Sequence, residues 1–412
     1  MKLSALLLAA ATIVTTTNAQ FTALVAQMQR ERATKQWEAY RKSAFDLSEI
    51  LNQSPDTMIE VARADVHLGN RDTALKNLFF YSAMGGGDPA VLLLPDFAPL
   101  RSTRQFANIM QAVRTNAQPV NTATTAFTLS DPGLLPENID YDPSRARFFI
   151  TSVRRGEIVT SDRGGRLTVF ARAPDRWPML GLKIDAARGI VWSTEVAIDG
   201  FTAVPKRDWG RSVVLGYDLR SGNLIRRVEG PRGCAFNDLT VDADGNVLVG
   251  DANGGGIYRL ARNSATLRAV NMRDFISPLG AAYTPDGRLY IADYTRGIGI
   301  MNANGDVRWI PMAATYALAG TDGLYYNRGW LIAVQNGFVP ERVVAFRLYG
   351  DDHVDKQRTI ESGTAQLDPT HGVIVSDTFY YLKNTGWNQL DGAGNLKPGA
   401  KLTPAIVMRA TL

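Results

Sequence analysis

The chain reads as mainly β: a six-bladed β-propeller preceded by a small α-helical, tetratricopeptide-like module. Three observations predict this. Apolar residues recur at helical intervals up to about residue 119, the period then changes to alternation, and a strand–turn–strand unit returns six times before the end of the 412-residue chain.

The first residues carry Lys2, an apolar run from Leu3 to Val14, and small polar residues ending at Thr17-Asn18-Ala19. This order is that of a signal peptide, expected over 1–19, and it implies an exported protein, secreted or periplasmic. The apolar run is too short to span a hydrocarbon core of ~30 Å, and no later run reaches that length, so no membrane span is expected.

Between 20 and 119 the positions Leu24, Met28, Trp37, Tyr40 and Phe45 follow helical spacing and predict two helices. Pro55 opens a third. A fourth is expected from Thr73 to Met84 with Asp72 as its cap, ended by Gly85-Gly86-Gly87. The run from Ala62 through Gly69 and Ala74 to Leu75, with Asp96-Phe97-Ala98-Pro99-Leu100-Arg101 and Phe106 after it, resembles a degenerate tetratricopeptide repeat whose small residues let helices approach closely. One and a half such units are too few for a free-standing solenoid, so this module is expected to lean on the propeller or on a protein partner. His67 has no second metal-binding group at a suitable spacing and reads as an interface histidine.

After a polar linker, 122–412 carries the repeat. Its copies begin at Glu137, Gly181, Asn237, Gly280, Asp322 and His371, spaced by about 42 to 56 residues, enough for a four-stranded blade and its loops. The last copy is one strand short, whereas Ala126-Phe-Thr-Leu129 stands unassigned before the first. That segment is expected to complete the last blade and close the ring.

Composition excludes several classes. The net charge of +5 comes from scattered Lys and Arg without interleaved aromatics, so no nucleic acid is expected as partner. The single cysteine, Cys234, permits no intrachain disulfide and has no catalytic partner nearby in sequence; it reads as a small buried thiol. Asn253-Gly-Gly-Gly lacks the Lys-Ser/Thr of a phosphate loop and reads as a turn.

The first residue of each copy enters an innermost strand, and innermost strands begin around one mouth of a propeller's channel. Glu137, Gly181, Asn237, Gly280, Asp322 and His371 would therefore converge. Two carboxylates and one amide carbonyl facing a common point suit a hard divalent cation such as Ca²⁺ better than zinc or copper.

Glu137, Phe236-Asn237-Asp238 with Val241-Asp242-Ala-Asp-Gly245, Asp322-Gly323, and Pro285-Asp286-Gly287 leading to Tyr290-Ile-Ala-Asp293 together resemble the regucalcin/gluconolactonase (senescence marker protein, LRE-like) family. The resemblance covers the propeller, about seven tenths of the chain. It implies a calcium-dependent hydrolase of a lactone or related ester, with Glu137, Asn237 and Asp322 as metal ligands and Asp238 supporting Asn237. Asp322 and His371 would be the catalytic pair: Asp322 would also orient or deprotonate water, and His371 would shuttle a proton at its ordinary pKa near 6.5. One family position departs: Leu279 stands where the family carries a ligating Asn. That departure supports an alternative, a non-catalytic binding or scaffolding propeller that has lost a full metal site. A quinone-dependent oxidoreductase is a third class, without the His and Arg constellation that would support it.

Overall fold

The structure is a computed structural model and describes residues 16–312 and 315–412. Residues 1–15 of the expected leader lie outside the described residues, while Thr16 to Ala19 lie inside them. Thr16 caps helix α1 (Thr17–Ala33), and the Asn18 amide donates to the Ile276 carbonyl at 2.8 Å. α2 (Trp37–Ile50), α3 (Pro55–His67), α4 (Arg71–Ala83), a short α5 (Pro89–Leu92) and α6 (Arg104–Asn116) follow.

Two local expectations are corrected. α4 starts two residues early, with Asn70 at the cap position, so Asp72 lies in the first turn, where its charge still favours the positive helix end. Gly69 is not a packing residue: it ends the α3 turn at φ +81° with open space where a Cβ would stand. Ala62 and Ala74 are fully buried between α3 and α4, as close helix packing requires. His67 stacks on Trp37 with ring centroids 3.6 Å apart and bonds Asp96 at 2.7 Å, so it is an interface histidine.

Six antiparallel sheets form a six-bladed propeller. Their innermost strands are Pro136–Asp142, Met179–Asp185, Phe236–Val241, Pro278–Tyr283, Leu324–Asn327 and Gly372–Val375, in blades 1 to 6, and they neighbour one another in a closed ring. Blade 6 is completed by Thr124–Thr128, which pairs with Ile406–Thr411. Part of the expected linker is also strand: Val120–Asn121 pairs with the outer strand His353–Ser362 and covers the edge of blade 5.

The helices lean on the propeller. One continuous apolar cluster joins Met58, Leu78, Phe106 and Val113 of the helices to Tyr290, Ile298, Leu318 and Phe346 of blades 4 and 5. The Asn52 amide donates to Ile310 O at 2.8 Å across the same seam.

Candidate metal centre at the channel mouth

The innermost strands of blades 1 to 4 share an irregularity that aims their side chains. In blade 1, Pro136 pairs with Ser152 but Ile139 pairs with Ile150, so three residue steps face two; blades 2, 3 and 4 repeat this at Met179/Leu182, Phe236/Leu239 and Pro278/Ala281. Such a bulge breaks the alternation of faces and lets two consecutive residues reach one side. Both Glu137 and Asn138 are accordingly buried in the channel, and Asn138 Nδ2 donates across it to Asp238 Oδ1 at 3.0 Å.

The shared bulge also corrects the ring. The positions equivalent to Glu137 and Asn237 are Leu180 and Leu279, not Gly181 and Gly280. The upper ring is therefore Glu137, Leu180, Asn237, Leu279, Asp322 and His371. The ring beneath it is Asn138, Gly181, Asp238, Gly280, Gly323 and Gly372. Glycine is needed there because neighbouring strands touch: a Cβ on Gly280 would lie 2.4 Å from Asp322 O, and one on Gly181 2.8 Å from Asn237 O.

At the upper ring, one potential ligand atom from each of Glu137, Asp322 and His371 lies within 4.8 Å of the others. Asn237 joins Glu137 and Asp322 in lining a cavity of about 450 Å³, together with Leu279, Tyr294, Asn336, Glu341 and Trp387. Asp238 lies beneath, lining a separate cavity of about 500 Å³ at the other mouth with Asn138, Asp140 and Tyr325. His371 bridges the levels: Nε2 is 3.4 Å from Asp238 Oδ2 and 3.9 Å from Asp322 Oδ1, and Nδ1 is 3.2 Å from the Glu137 carbonyl.

Electrostatics set the charge states. Burial, then the neighbouring Asp322 carboxylate, raise the Glu137 pKa to about 8, and burial raises that of Asp322. Burial alone would lower His371, but Asp322, Asp238 and Glu137 surround it and push it up to about 10. In the metal-free protein at neutral pH His371 is therefore an internal cation among acids, which differs from the ordinary pKa on which a proton shuttle was expected.

Among the described residues, Asn237 Oδ1, Asp322 Oδ1 and His371 Nε2 are buried without a hydrogen-bond partner. The second oxygen of Asp322 is occupied, accepting from Asn336 Nδ2 at 2.7 Å, and Glu137 Oε2 accepts the indole N–H of Trp387. Unpartnered buried oxygens are costly, and the two residues that carry them, Asn237 and Asp322, line one cavity. With Glu137 they form an all-oxygen donor set that fits a hard divalent cation.

Asn138, Asn336 and Glu341 were not singled out from sequence. Asn138 had a readable signal, since Glu137-Asn138 stands in phase with Asn237-Asp238. Trp387, read from sequence among the aromatics that pack the blades or line the mouth, lies on a long loop and lines the mouth cavity. Cys234 is buried between blades 2 and 3 against the Tyr258 hydroxyl, and burial pushes its thiol up to about 12, so it is inert.

Fold and site together define a six-bladed propeller with an acidic channel mouth. Among solved structures, the chain is similar to a putative oxidoreductase (glucose dehydrogenase) from Thermus thermophilus, at 17% identity over 71% of this chain and 99% of that one, TM-score 0.49. It is also similar to a gluconolactonase from Xanthomonas campestris, at 14% identity over 73% and 93%, TM-score 0.48. A virginiamycin B lyase from Staphylococcus aureus gives 15% identity over 72% and 98%, TM-score 0.46. No family model and no curated protein matches the sequence.

Proposed function

We propose that this protein is an exported hydrolase that opens a lactone or related ester with the help of Ca²⁺ or another divalent cation at the acidic mouth. One observation carries the reading: Asn237 and Asp322, each with a buried oxygen that lacks a hydrogen-bond partner, line the same cavity as Glu137. Export rests on the leader-like order of residues 1–19, and no described helix is long and apolar enough to cross a membrane.

Glu137, Asn237 and Asp322 would hold the cation, which when bound supplies Lewis-acid polarisation of the substrate carbonyl and stabilises charge on its oxygen. The remaining chemistry belongs to the chain. Asn336 holds Asp322 Oδ2, leaving Oδ1 free to orient a water and accept its proton. Asp238 is braced by Asn138 and by the backbone N–H of Leu239 at 2.8 Å, and it faces His371 from below. His371, whose Nε2 faces Asp238 and Asp322, would pass a proton to the departing oxygen. Leu279 and Tyr294 form an apolar flank of the cavity, where a carbon chain or ring of the substrate would rest.

Calorimetry with Ca²⁺ on wild type and Asp322→Ala, followed by a panel of lactones and esters, tests this. Binding lost in the variant and turnover that needs the metal support it. Absence of binding at millimolar Ca²⁺, with no turnover, refutes it.

Leu279 favours a second reading. A leucine lining the mouth removes a potential ligand, as in a propeller that binds or scaffolds without catalysis. The module proposed over 20–119 then docks a protein partner, and the exposed Phe45 and Phe79 are its natural contacts. Affinity capture that survives loss of Ca²⁺ but fails in Phe45→Asp/Phe79→Asp would support it.

A further inference from the structure

Trp387 lies on a long segment between the second and third strands of blade 6, residues 383–405, which crosses the mouth to blade 2. Its start is tied to Asp368, whose Oδ2 accepts the backbone N–H of Gly386 at 2.8 Å and of Asn388 at 3.3 Å. Its tip is tied to the blade 2 loop, where Thr202 N donates to Ala393 O at 3.0 Å and Thr202 Oγ1 to Asn395 Oδ1 at 2.7 Å. Trp387 and Leu390 between these anchors, and Leu402 on the return, pack over Leu135, Val153 and Leu180, and the Phe201 ring lies 6.2 Å from that of Trp387.

This segment roofs blades 1 and 2. It covers the apolar ring residue Leu180, while Asn237, Leu279 and Asp322 of blades 3 to 5 still line the cavity. The anchored tryptophan places its indole N–H on Glu137 Oε2, while Glu137 Oε1 is 3.9 Å from His371 Nδ1, within the ligand cluster. The two oxygens of one carboxylate are thereby given different tasks. Without this donor, Glu137 would have a free rotor beside Asp322.

We propose that Trp387 is the positioning residue for Glu137: the strap holds its indole N–H against one carboxylate oxygen and so aims the other at the channel mouth. The metal-binding consequence rests on the hydrolase reading above; the contact itself does not. A partner that orients a ligating carboxylate commonly carries a 10–100-fold effect on metal affinity.

Two measurements test this. In ¹⁵N-labelled, metal-free protein, one of the seven indole N–H resonances should lie downfield and shift in Glu137→Gln, which replaces the acceptor of that hydrogen bond. The same resonance should be absent in Trp387→Phe. Indole resonances unmoved by Glu137→Gln overturn the proposal, and this arm needs no folded Trp387 variant. In calorimetry, at a temperature where the metal-free variant is folded, Trp387→Phe should bind Ca²⁺ at least about tenfold more weakly. Wild-type affinity in that variant overturns the positioning role. If wild type takes up no Ca²⁺ and turns over no lactone or ester, the hydrolase reading falls, and the indole resonance alone decides this one.

Discussion

Glu195 shows how a single buried carboxylate makes this protein sensitive to pH. One of its oxygens accepts the backbone N–H groups of Asp175 and Trp177, each at 3.1 Å, and the other is buried without a partner. Burial outweighs those donors and raises its pKa from 4.5 to about 7. The folded state therefore holds a proton that the unfolded chain has released. Its contribution is fully present below 4.5 and is lost as pH rises through about 7. Glu195→Gln should flatten the decline in stability across that window, read from urea unfolding on either side of it. At the mouth, Leu279→Asn restores an oxygen beside Asn237 and Asp322 and should strengthen Ca²⁺ binding, on the order of tenfold by calorimetry. Gly280→Ala meets the backbone of Asp322 and Leu324 and should cost roughly 1–3 kcal/mol while displacing Asp322. A variant with unchanged unfolding and Ca²⁺ affinity would contradict that account.

The strand Thr124–Thr128 closes the ring, and its Phe127 is the residue that makes closure cohesive. Its ring lies 5.1 Å from Phe148 of blade 1, which also meets Tyr380 of blade 6 at 5.1 Å. Phe127→Ala removes the aromatic that joins these blades and should destabilise the protein by roughly 3–5 kcal/mol, seen as a lower denaturant midpoint. Closure was legible in sequence because an unassigned alternating segment stood before the first copy and the last copy lacked a strand. The edge strand Val120–Asn121 was not legible, since two polar-flanked residues carry no period. The end of α3 was misread for a related reason: a glycine signals either close packing or a positive φ, and only the backbone at Gly69 distinguishes them.

The helices and the propeller share one apolar core, so neither buries its surface alone. A chain beginning at residue 120 would expose Tyr290, Ile298 and Leu318 where α3, α4 and α6 cover them. Such a chain should bind a hydrophobic dye and aggregate on heating; a monomeric chain with full-length stability would show that the seam contributes little. Blade number, strand pairing order and the candidate ligands Glu137, Asn237 and Asp322 were determined by amino-acid order alone, because each follows from a local period repeated at nearly constant spacing. The ring position of Leu180, the meeting of Asn138 with Asp238, the charge on His371 and the reach of Trp387 to Glu137 depended on the folded chain. A bulge shifts facing without changing composition, a pKa answers to a neighbour as far as 234 residues away in the chain, and a loop finds its contact only after six blades have closed into a ring.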